Sequence, residues 1–136
     1  MPRVGYSGVA LARKLGIKPA SRIYAIGAPD NYAELLQPMP EGVKFERRAS
    51  SLTDIAHVFT AHKDELCGHL RVLRRTLNSA ATIWVSWPKR ASKVPTTVTE
   101  HTIRELAVPL GLVDVKVCAV TEIWSGLKLV VRKELR

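Results

Sequence analysis

The stretch from Ile55 to Trp87 limits the possible folds more than any other part of the chain. Ile55-Ala56-His57-Val58-Phe59 is a continuous apolar run of the kind found in a parallel strand buried on both faces. Leu66, Leu70, Leu73 and Leu77 follow at i, i+4, i+7 and i+11, one apolar stripe on a helix opened by Lys63 or Asp64 and stopped near Asn78. Thr82-Ile83-Trp84-Val85-Ser86-Trp87 then reads as a strand ended by Pro88. A strand, a helix and a strand of these lengths form a right-handed parallel crossover, which requires helices over the sheet.

The flanking sequence extends the alternation. Ser7 is a helix cap for a short segment over residues 9–15 with a stop at Gly16, and Arg22–Ile26 is a strand. Asp30 caps a short helix through Leu36, which Pro38 and Pro40 close, and Val43–Arg47 alternates like a half-exposed edge strand. Thr97-Val98-Thr99-Glu100 is a capping box before Ile103, Leu106, Ala107 and Leu110, and Gly111 ends that helix. Val113–Ala119 and Leu127–Arg132 alternate as two strands joined by a hairpin near Trp124-Ser125-Gly126. The expectation is a three-layer α/β/α domain with sheet order 2-1-3-4-6-5 and the last strand antiparallel. Ala49–Asp54 is too short for a helical crossover, so that link is an extended strap or one helical turn.

One domain over residues 1–136 is expected. With 46% hydrophobic and 24% charged residues, the chain buries a core without disulfides or metal. Its apolar runs are too short for a membrane span, and Met1-Pro2-Arg3 leads into Tyr6-Ser7-Gly8 rather than a secretory signal, so a cytoplasmic protein is expected. Cys67 and Cys118 are then reduced thiols. His62, Cys67 and His69 do not converge on a helix, so no metal is expected. No G-x-x-x-x-G-K, G-x-S-x-G or H-E-x-x-H pattern occurs, which excludes those enzyme types.

The order of elements resembles a reduced class I methyltransferase sheet, a Rossmann-like fold. In that family a glycine-rich turn after the first strand holds S-adenosylmethionine. Here the turn reads Ile26-Gly27-Ala28-Pro29-Asp30-Asn31-Tyr32, with a single glycine, and Glu46 at the edge strand is followed by Arg47 and Arg48. A closer resemblance rests on Gly5-Tyr6-Ser7-Gly8, Leu15-Gly16-Ile17-Lys18-Pro19, Trp84-Val85-Ser86-Trp87-Pro88-Lys89, the run from Pro109 to Cys118, and Trp124-Ser125-Gly126-Leu127-Lys128-Leu129-Val130. These segments are similar to the small bacterial proteins of domain of unknown function family 3052, a family with no established activity to carry over.

In open parallel sheets ligands bind beyond the carboxyl ends of the strands. Candidate ligand contacts are therefore Asp30, His62, Trp87 and Lys89, with Tyr6 on the N-terminal helix and Trp124 at the hairpin. Trp87 beside Lys89, with its direction set by Pro88, offers an indole and a cation to an anion. The plainer alternative is that Trp87 caps the core while Lys89, Arg90 and Lys93 stay solvated. Asp30 and His62 form an acid/base pair only if their strands are neighbours.

The excess of 21 Lys+Arg over 12 Asp+Glu, a net +9, supports a second class of partner. Arg13, Lys14 and Lys18 near the start and Arg71, Arg74 and Arg75 on the long helix are the phosphate contacts a nucleic-acid-binding protein would use. The expectation is a noncatalytic or vestigial methyltransferase-like domain, without catalytic residues or cofactor, that binds a small anionic ligand or a protein. Nucleic-acid binding and S-adenosylmethionine-dependent methyl transfer are the alternatives.

Overall fold

The computed structural model describes residues 9–136. Six strands form one sheet: β1 (Arg22–Ile26), β2 (Lys44–Phe45), β3 (Ile55–Phe59), β4 (Thr82–Pro88), β5 (Leu112–Ala119) and β6 (Trp124–Val131). Their spatial order is β2-β1-β3-β4-β6-β5. The first four are mutually parallel, and β6 runs antiparallel to both β4 and β5. The expected order and the single reversed strand are both present.

Helices cover both faces. The long helices α3 (Lys63–Thr76) and α4 (Glu100–Ala107) lie on one side, and the single-turn helices α1 (Leu11–Lys14) and α2 (Tyr32–Leu35) lie on the other. Strand parity assigns the side chains. Ala56, Val58, Ile83, Val85 and Leu127 pack with Leu66, Leu70 and Leu73 of α3 and Ile103 of α4. Ile23, Ile55, Phe59 and Trp84 pack with Leu11, Leu15, Tyr32 and Leu36. The Trp84 indole donates to the Leu15 carbonyl at 3.0 Å, tying the end of α1 to the sheet centre.

Several local expectations are corrected. The expected cap Ser7 lies outside the described residues; α1 follows Ala10, which makes no side-chain cap bond. Asp30 does not cap α2, because Asn31 occupies that position and its side chain makes no cap bond either. The capping box of α4 is Thr99 with Thr102, two residues later than the expected box. Thr97 instead accepts the Lys63 amide at 2.8 Å, which joins this loop to the start of α3.

The hairpin turn is at Val120–Ile123, where the Thr121 hydroxyl accepts the Ile123 and Trp124 amides. Trp124-Ser125-Gly126 is strand. Gly126 is glycine for packing: a Cβ there would come within 2.9 Å of Val120 and 3.3 Å of Trp84. The edge strand pairs over only Lys44–Phe45, and the link to β3 is the strap rather than a helical turn, with one tight turn in which the Ser50 amide donates to Thr53 Oγ1.

Candidate functional site

The carboxyl ends of β1, β3 and β4 open on the same side of the sheet, and β6 begins there. Gly27 leaves β1 with φ +68°, and a Cβ on it would lie 2.5 Å from the Phe59 carbonyl oxygen. Only glycine allows the turn to sit this close to the end of β3. Asp30 is exposed in the turn that follows. After β3, the Thr60 hydroxyl accepts the His62 amide at 3.1 Å and donates to Glu65 at 3.0 Å, leaving His62 exposed just before α3. No hydrogen bond or ion pair joins Asp30 to His62.

After β4, the Lys89 amide donates to the Ile123 carbonyl at 2.7 Å, and a 3-10 turn over Arg90–Ser92 follows. The Ser92 hydroxyl closes this turn on the Lys89 carbonyl at 2.6 Å. Lys89, Arg90 and Lys93 therefore form a cationic loop beside the first residue of β6. That residue is Trp124, whose register partner is Pro88. Its half-buried ring meets Phe59 edge-on, with centroids 5.2 Å apart.

Trp87 points the other way. It is buried among the residues facing α3 and α4, whereas Trp124 packs with the α1 and α2 side. The Lys89 loop meets the start of β6 through its backbone, one residue from Trp124, and Trp87 lies in the core. Tyr6 lies outside the described residues.

A buried polar chain that the sequence reading passed over lies below this end. His57 is fully buried; its Nδ1 lies 2.7 Å from the Tyr32 hydroxyl and its Nε2 lies 2.7 Å from the Ser86 hydroxyl. A neutral imidazole has one donor and one acceptor nitrogen, so one hydroxyl donates to it and the other accepts from it. Its ring stacks on Phe59 at 4.1 Å, and the Tyr32 ring meets it edge-on. Burial pushes the His57 pKa down to about 3 and the Tyr32 phenol up, so both stay neutral at ordinary pH. The chain anchors α2 to the sheet and fills the space above β3 with aromatic rings. Parity puts His57 and Ser86 on one face of adjacent strands, but the contacts that mark the histidine are set by tertiary packing.

At the sheet edge, β2 pairs only as far as Ile23, although β1 continues to Ile26. Glu46, the first carboxylate after β2, does not face the strand ends. It accepts from the Arg22 guanidinium at 2.7 Å and from the Thr53 hydroxyl at 3.0 Å. The Arg22 bond holds its carboxyl below the usual range.

The basic residues divide between two layers. Arg13, Lys14 and Lys18 belong to α1 and the loop after it, while Arg71, Arg74 and Arg75 lie on α3 across the sheet. Arg74 is also engaged, donating to the Leu110 carbonyl at 2.9 Å. Among the described residues no helix is long and apolar enough to cross a membrane, and no three His, Cys, Asp or Glu side chains cluster as metal ligands.

This sheet occurs in solved structures. An S-adenosylmethionine-dependent methyltransferase from Aquifex aeolicus superposes with a TM-score of 0.65 over 89% of this chain and 88% of its own, at 13% identity. Aeropyrum pernix fibrillarin, solved with natively bound S-adenosyl-L-methionine, gives 0.60 over 89% and 73%, at 14% identity. A pericyclic-reaction enzyme gives 0.57 over 91% of this chain and 47% of its own, at 11% identity. At these identities the likeness establishes a methyltransferase-like Rossmann fold and nothing about chemistry. No curated protein sequence matches the chain. The model of the family described as "Protein of unknown function (DUF3052)" matches residues 12–133, and the chain belongs to that family.

Proposed function

We propose that this protein uses the methyltransferase-like fold as a noncatalytic binding domain that takes a small anion rather than S-adenosylmethionine. The observation that carries this reading is the Glu46–Arg22 pair. Dinucleotide and related nucleoside sites on such sheets use a carboxylate beyond the neighbouring strand to hold the ribose hydroxyls. Here that strand stops short, and the carboxylate is bonded to Arg22 and Thr53. Moving it to the cofactor position would break both bonds. The single-glycine turn after β1 adds support, since it packs against Phe59 and supplies one flexible residue where the family's loop has several.

The positive part of the reading rests on the Lys89–Lys93 loop. Three cations in five residues, on a loop whose backbone is fixed by the Ser92 and Ile123 bonds and joins β6 next to Trp124, form a surface suited to a compact anion with a planar group. The division of the other basic residues between two layers favours this site over a continuous nucleic-acid track.

The test is to purify the native protein and its Lys89→Ala variant, denature both, and identify released small molecules by mass spectrometry. A stoichiometric anion released by the native protein and absent from the variant supports the reading. Equal retention by both contradicts it.

A further inference from the structure

We propose that the groove between β1 and α3 is a docking site for an acidic amphipathic helix of a partner protein. The groove is a cavity of about 260 Å3 on the α3 side of the sheet. Tyr24 and Ile26 of β1 form its floor, Ala49 of the strap and Val72 of α3 form its walls, and Arg48 and His69 line it as well. None of the residues lining it belongs to the Lys89–Lys93 loop.

The groove is open for a topological reason. Parallel strands are covered on both faces because each crossover lays a helix across them. The β3–β4 crossover does so with α3, but the β2–β3 connection is the strap. The α3-side face of β1 therefore has no helix of its own: Tyr24 and Ile26 remain half-buried and Val72 is 52% exposed. The layer lacks one helix, and an apolar groove of this kind accepts a helix through anchors at i, i+3 or i+4, and i+7.

Charge selects the kind of helix. Arg48 lines the groove, and the exposed Arg47 and Arg75 adjoin it in sequence. Two carboxylates near it are engaged: Glu46 bonds Arg22 and Thr53, and Glu65, one turn before His69, bonds Thr60. A partner with Asp or Glu flanking its apolar anchors complements this rim. A second copy of the chain does not, because two molecules of net charge +9 repel each other.

The experiment replaces Val72, which is exposed enough to tolerate the change, by the photoreactive Val72→p-benzoylphenylalanine in cells and sequences the cross-linked peptide. That peptide is then synthesised and titrated calorimetrically against the native protein, Val72→Glu and Arg48→Glu, with circular dichroism confirming that each variant folds. The expected peptide has apolar residues at helical spacing with flanking carboxylates. Each variant weakens its binding at least about tenfold, and a peptide with Lys in place of its acidic residues recovers affinity for Arg48→Glu. Absence of any adduct, an adduct with nucleic acid or with another copy of the chain, a peptide without acidic residues, or an affinity unchanged by both variants overturns the proposal.

Discussion

His57 links the stability of this fold to mild acid, with a size set by its burial. In the unfolded chain the imidazole takes up a proton near its ordinary value of 6.5, whereas in the folded protein it does so only at about 3. The unfolded state therefore binds more protons between these values, and the stabilisation present above pH 6.5 is lost as the pH falls towards 3. Integrating the two titrations gives a loss of about 2 kcal/mol between pH 7 and pH 5, a substantial part of the roughly 5–15 kcal/mol that holds a domain together. Glu46 and Asp114 also have depressed values, each held down first by its arginine partner. Their ordinary values of 4.5 and 3.8 confine most of their effect to lower pH.

Urea denaturation at pH 7, 6 and 5 measures the loss directly when the native protein is compared with His57→Gln, which keeps polar atoms but does not titrate. The variant starts lower at pH 7, by about 1–3 kcal/mol for disturbed buried hydrogen bonds, and then changes little down to pH 5. Parallel pH profiles for the two proteins would refute the reasoning, because the proton uptake would then belong to other groups.

Three substitutions test the backbone and capping arguments. Gly27→Ala places a methyl group against the Phe59 carbonyl at a positive φ and should destabilise by at least about 1 kcal/mol. Gly68→Ala, on α3 with open space around it, should instead raise stability by up to about 1 kcal/mol, so thermal melts of the pair should shift in opposite directions. Thr99→Ala removes the capping box of α4 and should cost about 1 kcal/mol in urea denaturation; no loss would mean that α4 is held by Ile103 and Ala107 alone.

The sheet could be read from the sequence because its strongest signals are local. The apolar run at Ile55–Phe59 and the leucine stripe of α3 belong to single elements, and β1 and β3 begin and end where β-formers give way to turn residues. The errors fall where tertiary contacts decide. Gly126 reads as a turn, but its neighbour is the Trp84 ring from another strand. Thr97 reads as a helix cap, but its hydroxyl serves the Lys63 amide 34 residues earlier.

The candidate site followed the same division. Residues after each strand were identifiable, but the side of the sheet each one faces depends on strand parity and pairing together. Trp87 and Trp124 consequently belong to opposite faces. His57 was hidden by its own apolar run, because a buried histidine is distinguishable only once Tyr32 and Ser86 are known to reach it. Glu46 was visible as a carboxylate, yet its engagement depends on Arg22 from the neighbouring strand.

The most direct measurement is a calorimetric titration of the native protein with S-adenosylmethionine and S-adenosylhomocysteine, with Arg22→Met in parallel. With Glu46 bonded to Arg22 and β2 ending short of the strand ends, the account predicts no saturable heat for either ligand with the native protein. A stoichiometric heat with a micromolar dissociation constant would contradict it and return the protein to the methyltransferases.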